Sequence, residues 1–448
     1  MKSFNKTVIF TLLLVLPCVI LFEIDAKGYF VPRSIFVAVV LLSIGGLIIA
    51  ILRSREKRVE PVKPIRNEEA KKFAVKPTFF HLFLPKGTYL SEHGLHLVYV
   101  GKLLDRADKV FQKIYNEFDQ TGLVPMLTEN NEKKTKQADG PVCLILIPKR
   151  EIKPEKYGPA LSLLLLFLSF LSLAWIIYSN RAAVPGGDIS FLYVSMRMAA
   201  MVIIILITYA GIQHVITRSY NQLATSYPMF LPIPSAFGAF GFLNTIQSFV
   251  KDRYMLFQIT FSGPLIALLI GLLLFLSDIN RSVIVLPGEA TPDSFTVNIG
   301  SSLFLSMVGK IVLGIDIGKG HLLRLTEDSF VGWLTILITC VNLLPLGELQ
   351  GGRIARAMFF RSSSNVLDGI MWFLLIMLGI LFWSGWLVVV AVVFNFSYRH
   401  KTVVLNQISP IRRWQQAIGA AMLLFVFIVL IPLPHAFYRI LGLHCPYL

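Results

Sequence analysis

Charge is what this sequence has least of. Only 15% of its 448 residues are charged, where a soluble domain carries about 25%. Acidic groups are the scarcer kind, 26 Asp and Glu against 42 Lys and Arg. The apolar fraction is 55% and the mean hydropathy +0.68, more than a water-soluble core needs, so the chain reads as an integral membrane protein. Cysteine is sparse too. Cys18, Cys143, Cys340 and Cys445 are scattered, which excludes a disulfide framework and a Cys-rich zinc site. No tandem repeat or low-complexity tract is present, and the basic stretches lack the interleaved aromatics of a nucleic-acid stacking platform. The formal net charge of +16 therefore concerns membrane orientation, and no nucleic-acid partner is expected.

What is abundant is long apolar runs. Segments able to cross a hydrocarbon core of roughly 30 Å occur at Thr7–Glu23, Ile35–Leu52, Ala160–Tyr178, Phe191–Gly211, Met255–Leu276, Val331–Leu346, Ile370–Phe396 and Ala417–Leu433. They make about eight spans, or nine if the run from Ile370 is a pair broken at Ser384–Gly385. Basic residues sit beside them: Arg53, Arg55, Lys57 and Arg58, then Arg353, Arg356 and Arg361, then Arg399, His400, Lys401, Arg412 and Arg413. The positive-inside rule puts all of these on the cytoplasmic side, or on the stromal side in a plastid. The basic start and apolar core of the first run read as a retained anchor, since no A-x-A site follows.

The expected organisation is two N-terminal spans over 1–52, a small soluble α/β cap over 53–157, a membrane core over 158–398, and a last span with its tail over 399–448. In the cap, "LLDRADKVFQKIYNEF" (103–118) spaces Leu103, Leu104, Ala107, Val110, Phe111, Ile114 and Phe118 as one apolar helix face. Strand-like "LHLVYVG" (95–101) and "VCLILIP" (142–148) flank it. The segment 295–314 is apolar but broken, and is expected to lie at the interface or dip into the membrane.

Polar groups inside apolar runs are costly and therefore informative. "ITYAGIQHVITRSYNQ" (207–222) places Gln213 and Thr217 four apart on one helix face, with His214 rotated by about 100°. "NLLPLGELQGGRIA" (342–355) interrupts the sixth run with Asn342, Gly347, Glu348, Gln350, Gly351 and Gly352. Amides and hydroxyls of this kind suit an interhelical hydrogen-bond network. Glu348 is expected to face water or a helix end, and the paired glycines to allow close backbone approach.

Together with "YPMFLPIPSAFGAFGFL" (227–243) and "SGPL" (262–265), this order of motifs resembles the site-2 protease family of intramembrane zinc metalloproteases. It is most similar to the plant and cyanobacterial branch named for ethylene-dependent gravitropism-deficient, yellow-green plants. The family pattern runs G-x-H-E-x-x-H, P-x-F-x-P, G-x-F-G-A, A-G-P-L and N-x-x-P-x-G-x-L-D-G-G-R. This chain has Gly211; Pro228, Phe230 and Pro232; Phe237 to Gly241; Gly263, Pro264 and Leu265; and Asn342, Pro345, Gly347, Leu349, Gly351, Gly352 and Arg353. The resemblance covers about Phe191 to Arg356, and the polar cap is similar as well.

The resemblance implies a substrate cleft around Pro232, Phe237, Gly238, Phe240, Asn342 and Gly347. It also implies that Gln213 stands at the first zinc-ligand position, His214 at the general base, Thr217 at the second ligand and Gln350 at the third. None carries the family residue. A catalytic zinc needs imidazole and carboxylate donors with an open position, plus a carboxylate to take a proton from the bound water. Zinc lowers the pKa of that water from about 15.7 to about 7, so a chain without the ion has no nucleophile. The sequence thus predicts a pseudoprotease with no zinc or other cofactor, acting on membrane-embedded clients in a bacterial plasma or thylakoid membrane. The rival is an active zinc protease with an atypical ligand set such as His214 with Glu348.

Overall fold

The computed structural model describes residues 82–90, 97–118, 123–129, 142–148, 158–179, 189–220, 225–233, 237–285, 295–312, 314, 322–359, 361–383, 385–399, 402–433 and 447. The spans expected at Thr7–Glu23 and Ile35–Leu52 lie outside the described residues. The cap begins with strands β1 (Phe83–Leu90), β2 (Leu97–Leu103), β3 (Leu123–Glu129) and β4 (Val142–Pro148), antiparallel in the order β1-β2-β4-β3. Helix α1 (Ala107–Phe118) buries Val110, Phe111, Ile114 and Phe118 against the sheet, the single apolar face that its spacing predicts. Leu103 belongs to β2 rather than to the helix, because the bend at Leu104 and Asp105 separates the two elements.

The membrane part comprises α2 (Gly158–Ser179), α3 (Ile189–Ser219), α4 (Arg253–Ser277), α5 (Leu303–Val312), α6 (Glu327–Asn342), α7 (Gln350–Met358), α8 (Arg361–Leu381), α9 (Gly385–Arg399) and α10 (Arg413–Leu430). Among the described residues, five helices are long and apolar enough to cross a membrane: α2, α3, α4, α8 and α10. The run expected to span at Val331–Leu346 is different. Helix α6 has 16 residues and is about 24 Å long, and every residue from Ser329 to Asn342 is buried. Its apolar composition serves a core helix wrapped by neighbours, and the chain turns at Leu343. The run from Ile370 is a helix pair, α8 and α9, parted after Leu381.

Close approach of α4 and α6 builds the centre. A Cβ on Gly332 would lie 2.4 Å from the Phe275 backbone nitrogen, and one on Gly271 would lie 3.3 Å from the Gly332 carbonyl oxygen. Ser329 Oγ donates to the Phe275 carbonyl across the same contact, at 3.1 Å. Beside α6 runs a hairpin of β5 (Met229–Ile233) and β6 (Gly238–Leu243), with every residue of β6 buried. Prolines and glycines rule out a helix there, and Pro232, having no N–H, coincides with a register shift. The hairpin tip is clamped by aromatic rings, Phe237 standing 5.5 Å from Trp383 and 6.0 Å from Tyr447.

At the end of the bundle away from the cap, β8 (Val283–Val285), β10 (Leu322–Leu325) and β9 (Phe295–Asn298) form a three-stranded antiparallel sheet. The segment 295–314 enters as β9, a 3-10 turn and short α5, whose start bonds the Ile431 carbonyl beyond α10. At the near end, β7 (Val250–Asp252) and β11 (Val404–Asn406) extend the cap sheet to the order β1-β2-β4-β3-β11-β7, through parallel pairings. Both strands lie in loops between membrane helices. The cap sheet is therefore completed by the core.

Candidate functional site

Helix α3 brings Gln213 and Thr217 to the bundle interior, 1% and 3% exposed, while His214 is turned outward and exposed. The Thr217 hydroxyl donates back to the Gln213 carbonyl at 2.7 Å, the usual local bond of a mid-helix threonine. Opposite stands Gln350, the first residue of α7. It reaches α3 because α7 starts hard against the end of α6. A Cβ on Gly351 would fall 1.8 Å from the Leu343 carbonyl oxygen, and one on Gly352 2.4 Å from that of Gly347. Gly347 turns the chain with φ of +52°, a region that suits glycine.

The two glutamines face each other and exchange hydrogen bonds. Gln213 Nε2 donates to Gln350 Oε1 at 3.3 Å, and Gln350 Nε2 donates to Gln213 Oε1 at 3.1 Å. Gln350 Nε2 also reaches Asn244 Oδ1 at 3.3 Å. Each amide thus gives its partner the acceptor and donor it needs, which removes the cost of burying two polar groups. Asn244 passes the network on: its Oδ1 accepts from Arg353 Nη1 at 3.0 Å and its carbonyl from Arg353 Nη2 at 2.6 Å.

A catalytic zinc wants imidazole, thiolate or carboxylate donors. Here the facing donors are two neutral amides, already spent on each other, and a hydroxyl turned to its own backbone. Among the described residues no three of His, Cys, Asp or Glu converge. The residues present do not fit that ion.

No protein-family profile and no solved structure matches the chain. Curated proteins do. Probable zinc metalloprotease EGY2, chloroplastic, of Arabidopsis thaliana is 24% identical over 277 residues, covering 60% of this chain and 47% of that protein. Probable zinc metalloprotease EGY1, chloroplastic, of Oryza sativa subsp. japonica is 22% identical over 416 residues, covering 84% and 70%. Probable zinc metallopeptidase EGY3, chloroplastic, of Arabidopsis thaliana is 25% identical over 403 residues, covering 84% and 67%. The chain is a distant relative of the EGY branch of site-2-protease-like proteins. It spans about half to six-tenths of the length of the EGY2 proteins it matches.

In this EGY-like frame Glu348 is not where the sequence puts it. It is 2% exposed rather than at a water-facing helix end. Its Oε2 accepts from Arg353 Nε at 3.3 Å and from the Thr402 hydroxyl at 2.7 Å, and its Oε1 from Arg356 Nη1 at 2.8 Å and the Thr402 N–H at 3.2 Å. Burial by itself would raise the pKa of this carboxyl, but Arg356, Arg353 and the Thr402 hydroxyl outweigh it and hold the group below the usual carboxylate range. A carboxylate so occupied makes no contact with the outward-turned His214.

The residues expected to line a cleft are divided among different tasks. Phe240 and Asn342 meet: Asn342 Nδ2 donates to the Phe240 carbonyl at 2.6 Å, pinning β6 to α6, and the left-handed Gly241 beside them leaves room for that amide. Phe237 sits in the aromatic clamp at the hairpin tip, and Gly238 stands next to it against Leu173 of α2. Pro232 is half-buried in β5. Gly347 lies at the other end of the bundle, its N–H donating to Asp368 Oδ1 at 2.7 Å. Sequence reasoning missed Asn244 altogether and read Arg353 only as a cytoplasmic-side charge and a motif residue. Their signal was weak, because an Asn after a strand and an Arg after paired glycines are ordinary until the fold joins them.

Proposed function

We propose that this chain is a site-2-protease-like membrane protein whose former metal centre is an amide lock, a catalytically inactive pseudoprotease that binds or escorts membrane-embedded clients. The observation that carries this reading is the reciprocal Gln213–Gln350 pair at two of the positions where the resembled family holds zinc. Losing the metal removes activated water but leaves the frame, with its α6–α7 turn and its buried hairpin. Client binding by strand addition uses backbone donors and acceptors and requires no ion. The β5–β6 sheet has only two strands, so each has one edge without a strand neighbour among the described residues. The natural setting on this reading is a bacterial plasma or thylakoid membrane. Arg353, Arg356, Arg412 and Arg413 gather at the cap end of the helices, which supports a cytoplasmic cap under the positive-inside rule.

The test is metal analysis of the purified full chain and of a variant carrying Gln213→His, His214→Glu, Thr217→His and Gln350→Asp. The expected result is no stoichiometric zinc in the unaltered chain and about one zinc per chain in the variant, the complement of a single tetrahedral site. An unaltered chain that holds zinc through washing, cleaves a membrane peptide and is silenced by chelator overturns the proposal in favour of an active protease with atypical ligands.

A further inference from the structure

A second site lies where the cap sheet meets the membrane helices. A pocket of about 360 Å³ is walled by Met126 of β3, Arg253 at the start of α4, the Gly347–Glu348 turn, Arg356 of α7 and Phe359 just after it, Asn365 and Asp368 of α8, and Ser397 of α9. That volume falls in the roughly 300–1,000 Å³ range of small-molecule sites. It shares Glu348 with the amide network but holds neither glutamine, and nothing in the proposed loss of catalysis explains it.

Around the pocket Arg253 and Arg356 stand with Glu348 and Asp368, and the contacts among these groups are unevenly shared. Glu348 is committed inward, to Arg353, Arg356 and Thr402, and Asp368 accepts from the Gly347 N–H through Oδ1. Arg353, behind the wall, and Arg356 divide the one Glu348 carboxylate between them, while Arg253 on the wall donates its Nε to the Ala357 carbonyl at 2.9 Å. Arg356 uses only Nη1. Its Nε and Nη2, the two parallel donors of one guanidinium edge, are shielded from solvent and have no acceptor, while the side chain as a whole is 29% exposed. Shielded guanidinium donors without an acceptor are expensive. Asn365 on α8 is exposed at the pocket wall, and the Ser397 hydroxyl accepts from the Glu348 N–H at 2.8 Å and can still donate its own proton.

We propose that this pocket binds a phosphate group, with Arg356 as its principal anchor and Asn365 and Ser397 as secondary donors. A tetrahedral anion offers several oxygens to donors on different elements, and a guanidinium edge takes two of them in parallel. Two sources present that chemistry here, the phosphate of an anionic lipid headgroup at the cap end of the helices and a free phosphate ester. Bound, either joins α7, α8 and α9 through one ligand.

The experiment uses the full chain in two arms. In detergent, inorganic phosphate is titrated by calorimetry. In phosphatidylcholine nanodiscs with and without phosphatidic acid, the thermal midpoint is read and the lipid that stays bound after delipidation is weighed by native mass spectrometry. Two variants accompany it: Arg356→Gln removes the anchor, and Asn365→Asp sets a carboxylate at the pocket wall while leaving the Glu348–Arg356 pair intact. The expected result is binding in at least one arm, weakened about tenfold or more by each variant, as for the loss or repulsion of a charge-assisted pair. Saturable phosphate identifies a soluble source, and retained phosphatidic acid without saturable phosphate identifies the headgroup. Binding in neither arm, or binding that a folded Asn365→Asp chain retains in full, overturns the proposal.

Discussion

Glu348 is a carboxylate closed off from water between two guanidinium groups and a threonine, and its position has a thermodynamic consequence. Its pKa is depressed in the folded chain relative to about 4.3 when unfolded, so the unfolded state binds more protons in acid. The stabilisation is present above about pH 4.3 and is lost as pH falls through the folded value. Glu348→Gln leaves Arg353 buried and Arg356 part-buried without a counter-charge. It is expected to cost about 3–5 kcal/mol and to flatten the acid limb of the unfolding midpoint measured in detergent. An unchanged midpoint and acid limb would show that Arg353 and Arg356 are compensated elsewhere. The same residue scale separates the polar groups of α3: Gln213 turns inward and pairs with Gln350, whereas His214 faces outward.

Between elements, the contact that positions the centre is the crossing of α4 and α6, since α6 carries the turn that delivers Gln350. Gly332 allows it. Gly332→Ala pushes a methyl against the Phe275 backbone and is expected to destabilise the chain by about 1–3 kcal/mol, the range for overpacking. Gly309→Ala in α5, where nothing lies within 4 Å, is the matched comparison and is expected to be neutral or mildly stabilising through helix propensity. Thermal unfolding of the two side by side checks this; equal midpoints would mean that α4 and α6 separate at little cost.

Across the whole molecule, the cap and the membrane core share a sheet. Leu405 of β11 comes from the loop between α9 and α10 yet is 2% exposed inside the cap's own apolar core. Leu405→Asp places a charge there. The expected outcome is release of the cap from the helices, seen as faster proteolysis between cap and core with helical circular dichroism retained, since an unpaired buried carboxylate costs several kcal/mol. Proteolysis at the unaltered rate would show that β11 and β7 do not fasten the two parts.

Much of this was legible in the residues themselves. Composition and apolar run length identified a membrane protein, the spacing of Val110, Phe111, Ile114 and Phe118 marked the cap helix, and the order of Gly, Pro and Asn motifs marked the frame, because helix period, span length and glycine's small size are local properties. Long-range pairing was not legible there. That Gln213 meets Gln350, that Glu348 turns inward to two arginines, that α6 is wrapped by its neighbours, and that two short strands from the core complete the cap sheet all join residues far apart in the chain. No local pattern encodes such contacts. They are decided only when burial forces each polar group to find a partner among whatever the packed helices bring within reach.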